Sequence, residues 1–193
     1  MIKRDNVRVC VPRYLQIGKG SLNELPEIIK ILGSINSLLI VTDKQMVKFG
    51  YVKKLQEVLS KDGIKSDVFD DTVPDPTDTV VLNGINFLEK YKNDAVIGFG
   101  GGSPIDTAKA IAAMAKNSKN IQDYKPPSMF DKKGLPIIAV PTTAGTGSEV
   151  THHAVIIDSK NNEKISCRGE GFVPICAIAV SYTHLTLPTK RIV

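Results

Sequence analysis

The stretch AVIGFGGGSPIDTAK, residues 95–109, decides the fold. Ala95 to Phe99 is a short, unbroken apolar run of strand length. Such a run marks a strand buried on both faces, as in a parallel sheet. It ends in Gly100-Gly101-Gly102-Ser103-Pro104, and a helix is predicted from there to about Lys116. The three glycines permit positive φ and let an anion approach the backbone without Cβ clashes. Ser103 suits the N-cap and Pro104 the first helical position. Asp106, three residues after that cap, can complete a capping interaction. The free N–H groups and the dipole of the helix start make an anion site, with a pyrophosphate as natural guest. The plain alternative is a tight turn before a well-capped helix, for which one glycine would suffice. From Gly98 the pattern is G-x-G-x-x-S, not the usual dinucleotide fingerprint, and the Lys-Ser/Thr of a P-loop is missing. Lys109 lies on the helix and reads as a solvated or structural lysine.

Working outward, strands and helices alternate. Strands are predicted at Ser37 to Thr42, Lys65 to Phe69, Leu135 to Val140 and Ile175 to Val180. A capping box, Ser21 with Glu24, opens a helix that Gly33 stops near Leu32. A second helix spans Met46 to Leu59, and Asp62-Gly63 breaks it. Pro74 and Pro76 make 73–76 a loop. Thr77 then caps a helix to about Tyr91. Residues 117–134 form a polar connection. Val150 to Asp158 and Glu163 to Cys167 read as two strands joined by the turn 159–162. The order predicts an α/β domain with a mainly parallel sheet and flanking helices. Ligands of such sheets bind beyond the carboxyl ends of the strands. Asp43, the glycine turn and the loop PTTAGTGSEV (141–150) all stand there. Thr142, Thr143, Thr146 and Ser148 offer hydroxyls to phosphate, ribose or amide groups. Asp43 can accept from both ribose hydroxyls and repel a 2′-phosphate, which favours NAD over NADP. Asp43 equally reads as a helix N-cap ahead of Lys44, and both roles can hold at once.

Composition bounds the rest. The chain has 193 residues, 42% hydrophobic, with three cysteines and a net charge of +5. That apolar share argues against disorder. An odd cysteine count without CxxC excludes a disulfide scaffold and fits a reducing, cytoplasmic setting. No secretory signal and no run long enough to span a membrane is expected. The lysines are scattered and form no stripe with interleaved aromatics, so no nucleic-acid partner is expected.

The motifs GGGSPIDTAKA (100–110) and PTTAGTGSEVT (141–151), with VTD at 41–43 and PDPT at 74–77, resemble the iron-containing (group III) alcohol dehydrogenase family of the dehydroquinate synthase-like superfamily. The resemblance runs from about residue 8 to residue 179. It implies a Rossmann-like nucleotide-binding domain over residues 1–180 and a metal-bearing C-terminal helical domain that is missing here. By that resemblance, Asp43 contacts the adenosine ribose and Asp75 lies near the adenine. Gly101, Gly102 and Ser103 hold the pyrophosphate, with Asp106 shaping that turn. Thr142, Thr143, Thr146 and Ser148 line the nicotinamide half. Lys164 points into the cleft as the catalytic candidate, its plain alternative being a solvated strand lysine. The family's metal, Fe2+ or Zn2+, sits on one Asp and three His, and none of these ligands can be placed in this chain. His152 and His153, neighbours on a predicted strand, should point to opposite faces.

The tail, residues 181–193, has no family counterpart and reads as non-native sequence. The expectation is therefore a fragment, inactive alone, of an NAD-dependent, metal-dependent dehydrogenase. Its substrate would be a small alcohol, diol or aldehyde, and full-length copies could form a homo-oligomer. Two alternatives stay open: a non-catalytic nucleotide-binding module, and a polyol or sugar-phosphate dehydrogenase of the same superfamily.

Overall fold

The computed structural model describes residues 9–33 and 35–180. The tail 181–193, with His184, lies outside the described residues. Strands form at β1 (Tyr14–Gly18), β2 (Ser37–Val41), β3 (Lys65–Phe69), β4 (Ala95–Gly100), β5 (Ile137–Pro141), β6 (His153–Asp158), β7 (Glu163–Arg168) and β8 (Cys176–Val180). Helices form at α1 (Leu25–Leu32), α2 (Lys44–Lys48), α3 (Tyr51–Ser60), α4 (Asp78–Tyr91) and α5 (Gly102–Ala115). Six strands make one parallel sheet in the order β1-β8-β5-β4-β2-β3. β6 and β7 pair antiparallel as a separate hairpin. The predicted mainly parallel α/β sheet with flanking helices is thus what forms.

The central strands are apolar throughout because both their faces are covered. Leu39, Val41 and Val96 face one core with α4, α5 and the hairpin. Leu38, Ile40, Ala95, Ile97 and Phe99 face the other, with α1 and α3. All eight side chains are fully buried.

The structure departs from three local expectations and adds one strand. Ser21 and Glu24 form no capping box. Residues Ser21–Glu24 are a 3-10 turn, in which the Ser21 hydroxyl donates to the Gly18 carbonyl at 2.7 Å. Glu24 instead accepts from Gln16 at 2.7 Å. The single helix from Met46 is two, because Gly50 takes φ 76° between α2 and α3. Ser103 is not the N-cap of α5; Gly101 is, in an extended conformation, so the helix begins two residues earlier. Finally, β1 carried no usable pattern. Its apolar Leu15 and Ile17 are exposed while Tyr14, Gln16 and Gly18 are half-buried, so the alternation is inverted.

Candidate nucleotide site

The chain leaves β2 towards β3 and leaves β4 towards β5, in opposite directions along the sheet. The crevice between β2 and β4 is therefore the switch point, where open α/β sheets bind ligands. A cavity of about 560 Å³ opens there. Among the residues in its wall are Asp43, Gly101, Gly102, Ser103, Thr142 and Thr143. Backbone and side-chain bonds fix the floor. The Thr42 hydroxyl donates to the Phe99 carbonyl at 2.8 Å, and the Thr142 N–H donates to the Gly100 carbonyl at 2.8 Å.

Asp43 caps α2. Its Oδ1 accepts from the N–H groups of Gln45 and Met46 at 2.9 and 3.0 Å. Oδ2 stays turned towards the glycine turn, 3.7 Å from where a Gly100 Cβ would stand. The N-cap reading of Asp43 is right, and the carboxylate still lines the cavity. Asp70 and Asp71 line it as well, so that end of the cavity is acidic.

The glycines make a cradle. A Cβ on Gly101 would meet the Thr143 hydroxyl at 3.4 Å, and one on Gly102 would meet Ser148 Oγ and Thr146 at 3.4 Å. The bare backbone thus lies directly beneath the hydroxyls of the loop. Gly101 supplies no side-chain cap, so the first N–H groups of the 14-residue α5, at Gly102 and Ser103 in the cavity wall, have no intrahelical partner. Thr143 Oγ1 is buried and has no hydrogen-bond partner. Buried polar atoms are normally paired. Two free N–H donors, of Gly102 and Ser103, with an orphaned hydroxyl nearby fit a dinucleotide whose phosphates cap the helix and whose polar groups satisfy the threonine.

Asp106 does not fold back onto the turn, as expected from the cap at Ser103. It stands four residues after Gly102, one helical turn on, and faces the loop. Its Oδ2 accepts from the Val155 N–H at 3.0 Å, while its buried Oδ1 has no hydrogen-bond partner. Burial raises its pKa, against the pull of the Val155 bond and the Lys109 charge. Lys109 is fully buried, so the solvated reading is excluded. Its Nζ donates to the carbonyls of Thr151 and His153 at 2.8 and 2.9 Å. Burial pulls this ammonium down to about 8, opposed by the charges of Asp106 and Glu149.

Other candidates fall elsewhere. Asp75, at φ 53°, pairs with Lys164 at 2.6 Å, and neither belongs to the cavity wall. Thr146 and Ser148 stand behind Gly102 rather than in that wall. The rings of His152 and His153 lie side by side, 4.2 Å between centroids, not on opposite faces. β6 starts only at His153, so strand alternation does not govern the pair. Among the described residues no three His, Cys, Asp or Glu side chains gather to hold a metal. The family's metal therefore finds no fit there.

A family model for iron-containing alcohol dehydrogenase matches residues 12–180. The chain is 36% identical over 168 residues to the NAD-dependent methanol dehydrogenase of Bacillus methanolicus, covering 87% of this chain and 44% of that protein. It is 38% identical over 162 residues to the lactaldehyde reductase of Escherichia coli K12, covering 83% and 42%. Among solved structures, the sulfoacetaldehyde reductase of Bifidobacterium kashiwanohense in complex with NAD+ superposes with a TM-score of 0.81 at 34% identity, covering 91% of this chain and 46% of that one. The chain spans less than half the length of each of these relatives.

Proposed function

The chain belongs to the iron-containing alcohol dehydrogenases, and on that premise we propose that residues 1–180 are the NAD-binding domain of an alcohol dehydrogenase or aldehyde reductase acting on a small alcohol, diol or aldehyde. The observation that carries this reading is the glycine cradle at the switch point, with free helix N–H groups below and the orphaned Thr143 hydroxyl above. The three unpaired cysteines suit the reducing cytoplasm.

In this reading Asp43 accepts from the adenosine ribose hydroxyls. Gly101, Gly102 and Ser103 hold the pyrophosphate at the start of α5, where the dipole favours anions. Thr142 and Thr143 orient the nicotinamide half, with Thr146 and Ser148 backing them. Asp75 and Lys164 form an ion pair outside the cavity wall and are not direct ligands. The nicotinamide, when bound, supplies the chemistry of hydride transfer. The protein's share is to fix its position and to exclude water.

Titrating the 193-residue polypeptide with NADH, followed by nucleotide fluorescence, should give saturable binding. The same polypeptide supplied with Fe(II) or Zn(II) should form no NADH from NAD and a small alcohol, because its described residues gather no metal-ligand set. Absence of saturable binding would overturn the reading. Alcohol-dependent NADH formation would overturn the metal argument.

The acidic end of the cavity sets a second expectation. Asp43→Asn keeps an oxygen to cap α2 but removes a charge facing the ribose. NADPH affinity relative to NADH should rise about tenfold, since a 2′-phosphate no longer meets that carboxylate. Competition titrations with the two nucleotides read the ratio directly. An unchanged ratio would take the ribose away from Asp43.

A further inference from the structure

Gly102, Asp106 and Lys109 follow one another at i, i+4 and i+7 and so form one stripe along α5. The segment after β5, from the 142–151 loop into β6, packs along that stripe. Thr146 and Ser148 pack on Gly102. The Val155 N–H, in β6, is held by Asp106. The carbonyls of Thr151 and His153 are held by Lys109. Helix and loop are fastened at three levels, and the top level depends on one ammonium.

That ammonium is costly to bury. Around it on α5, Ile105, Ala108, Ala112 and Ala113 are apolar and fully buried. An apolar residue at 109 would continue that surface and is often neutral or stabilising in place of a buried charge. The lysine instead spends its donors on two backbone carbonyls either side of His152, with Asp106 and Glu149 as its counter-charges. Its bonds set where the loop ends, and hence how far Thr143 and Ser148 stand from the glycine turn.

We propose that Lys109 is a positioning residue of the nucleotide site: it touches no ligand, but fixes the 142–151 loop over the glycine turn at the spacing that the nicotinamide half of a dinucleotide needs. The proposal rests on the nucleotide-binding reading above. It assigns the two halves of the dinucleotide different sensitivities. The adenosine and pyrophosphate contacts come from Asp43 and the start of α5, which Lys109 does not hold. The nicotinamide contacts come from the loop that it does.

The test compares NADH with ADP. In Lys109→Met, NADH affinity should fall at least about tenfold, because the loop must now be ordered on binding, while ADP affinity stays within about twofold. Without nucleotide, amide exchange over 144–150 should quicken while α1 and α3 keep their protection. In a folded variant, an equal weakening of both ligands with no faster exchange confined to the loop would overturn the proposal. Unchanged NADH binding with unchanged loop exchange would overturn it equally. If Lys109→Met does not fold, Lys109→Gln, which retains amide donors without the charge, carries the same comparison. If the unmodified protein binds neither NADH nor ADP, the nucleotide reading fails by itself. The exchange measurement still decides whether Lys109 holds the loop.

Discussion

A Gly101→Asp protein should be at least as stable as the parent and should bind NADH at least about 100-fold more weakly, a loss of about 3 kcal/mol. The two signs are opposite for one reason. Gly101 is the N-cap of α5, already in the extended conformation that a capping side chain needs, and it supplies no side-chain acceptor. An aspartate there accepts from the Ser103 N–H, since Pro104 has none to give, and its charge opposes the dipole's positive end. Such a cap contributes about 0.5–1 kcal/mol. Asp43 shows the arrangement at α2, with two N–H groups donating to one carboxylate oxygen. Yet the same N–H group and the same field are what a pyrophosphate would use. The new carboxylate occupies the anion's place and repels its charge. Urea unfolding and NADH titration on one preparation measure both sides. Undiminished NADH binding would remove the pyrophosphate from the start of α5.

Gly98→Val should cost about 4 kcal/mol or more, a large part of the 5–15 kcal/mol that holds a typical domain. A Cβ at Gly98 would stand 2.8 Å from the Ile105 Cα and 3.0 Å from the Ala108 Cβ. The first of these is backbone and cannot rotate aside. β4 cannot retreat either, because Gly98 is paired with Val41 on one side and Ala139 on the other. The strain must push α5 off the sheet, and α5 carries the glycine turn, Asp106 and Lys109. Gly84→Ala is the control. Its Cβ meets the Ile111 Cδ1 tip, a side-chain end that can turn away, so the loss should stay at ~1 kcal/mol, within the range for overpacking. Denaturant midpoints for the two variants give the comparison. Equal losses would show that α5 shifts as freely as a side chain does.

The sheet was legible where burial is two-sided. The unbroken apolar runs at 38–41, 95–99 and 137–140 read as central strands, and their carboxyl ends mark the crevice. Gly101, Gly102, Ser103, Thr142 and Thr143 could be assigned to one site because sheet geometry alone brings those ends together. What the sequence hid depends on neighbours far along the chain. Lys109 reads as an ordinary helix lysine until Thr151 and His153 are seen against it. Asp106 has the spacing of a capping residue from Ser103, and only the true helix start at Gly102 turns it towards Val155. The pairing of Lys164 with Asp75 joins β7 to a loop 89 residues away, and no local pattern carries that.

β1 pairs with β8 alone, Tyr14 opposite Cys176. β1 therefore has no place in the sheet until β8 has been made. At about 5–20 residues per second the wait is roughly 10–30 s. Through that time Leu15 and Ile17, exposed even in the finished fold, belong to a strand with both edges open. The other five strands can already assemble around β4, with β8 arriving on β5 and then serving as template for β1. Closure of the sheet at β1 is thus a late event for the nascent chain, and β1, made long before the strand that receives it, is the segment most in need of a chaperone's cover.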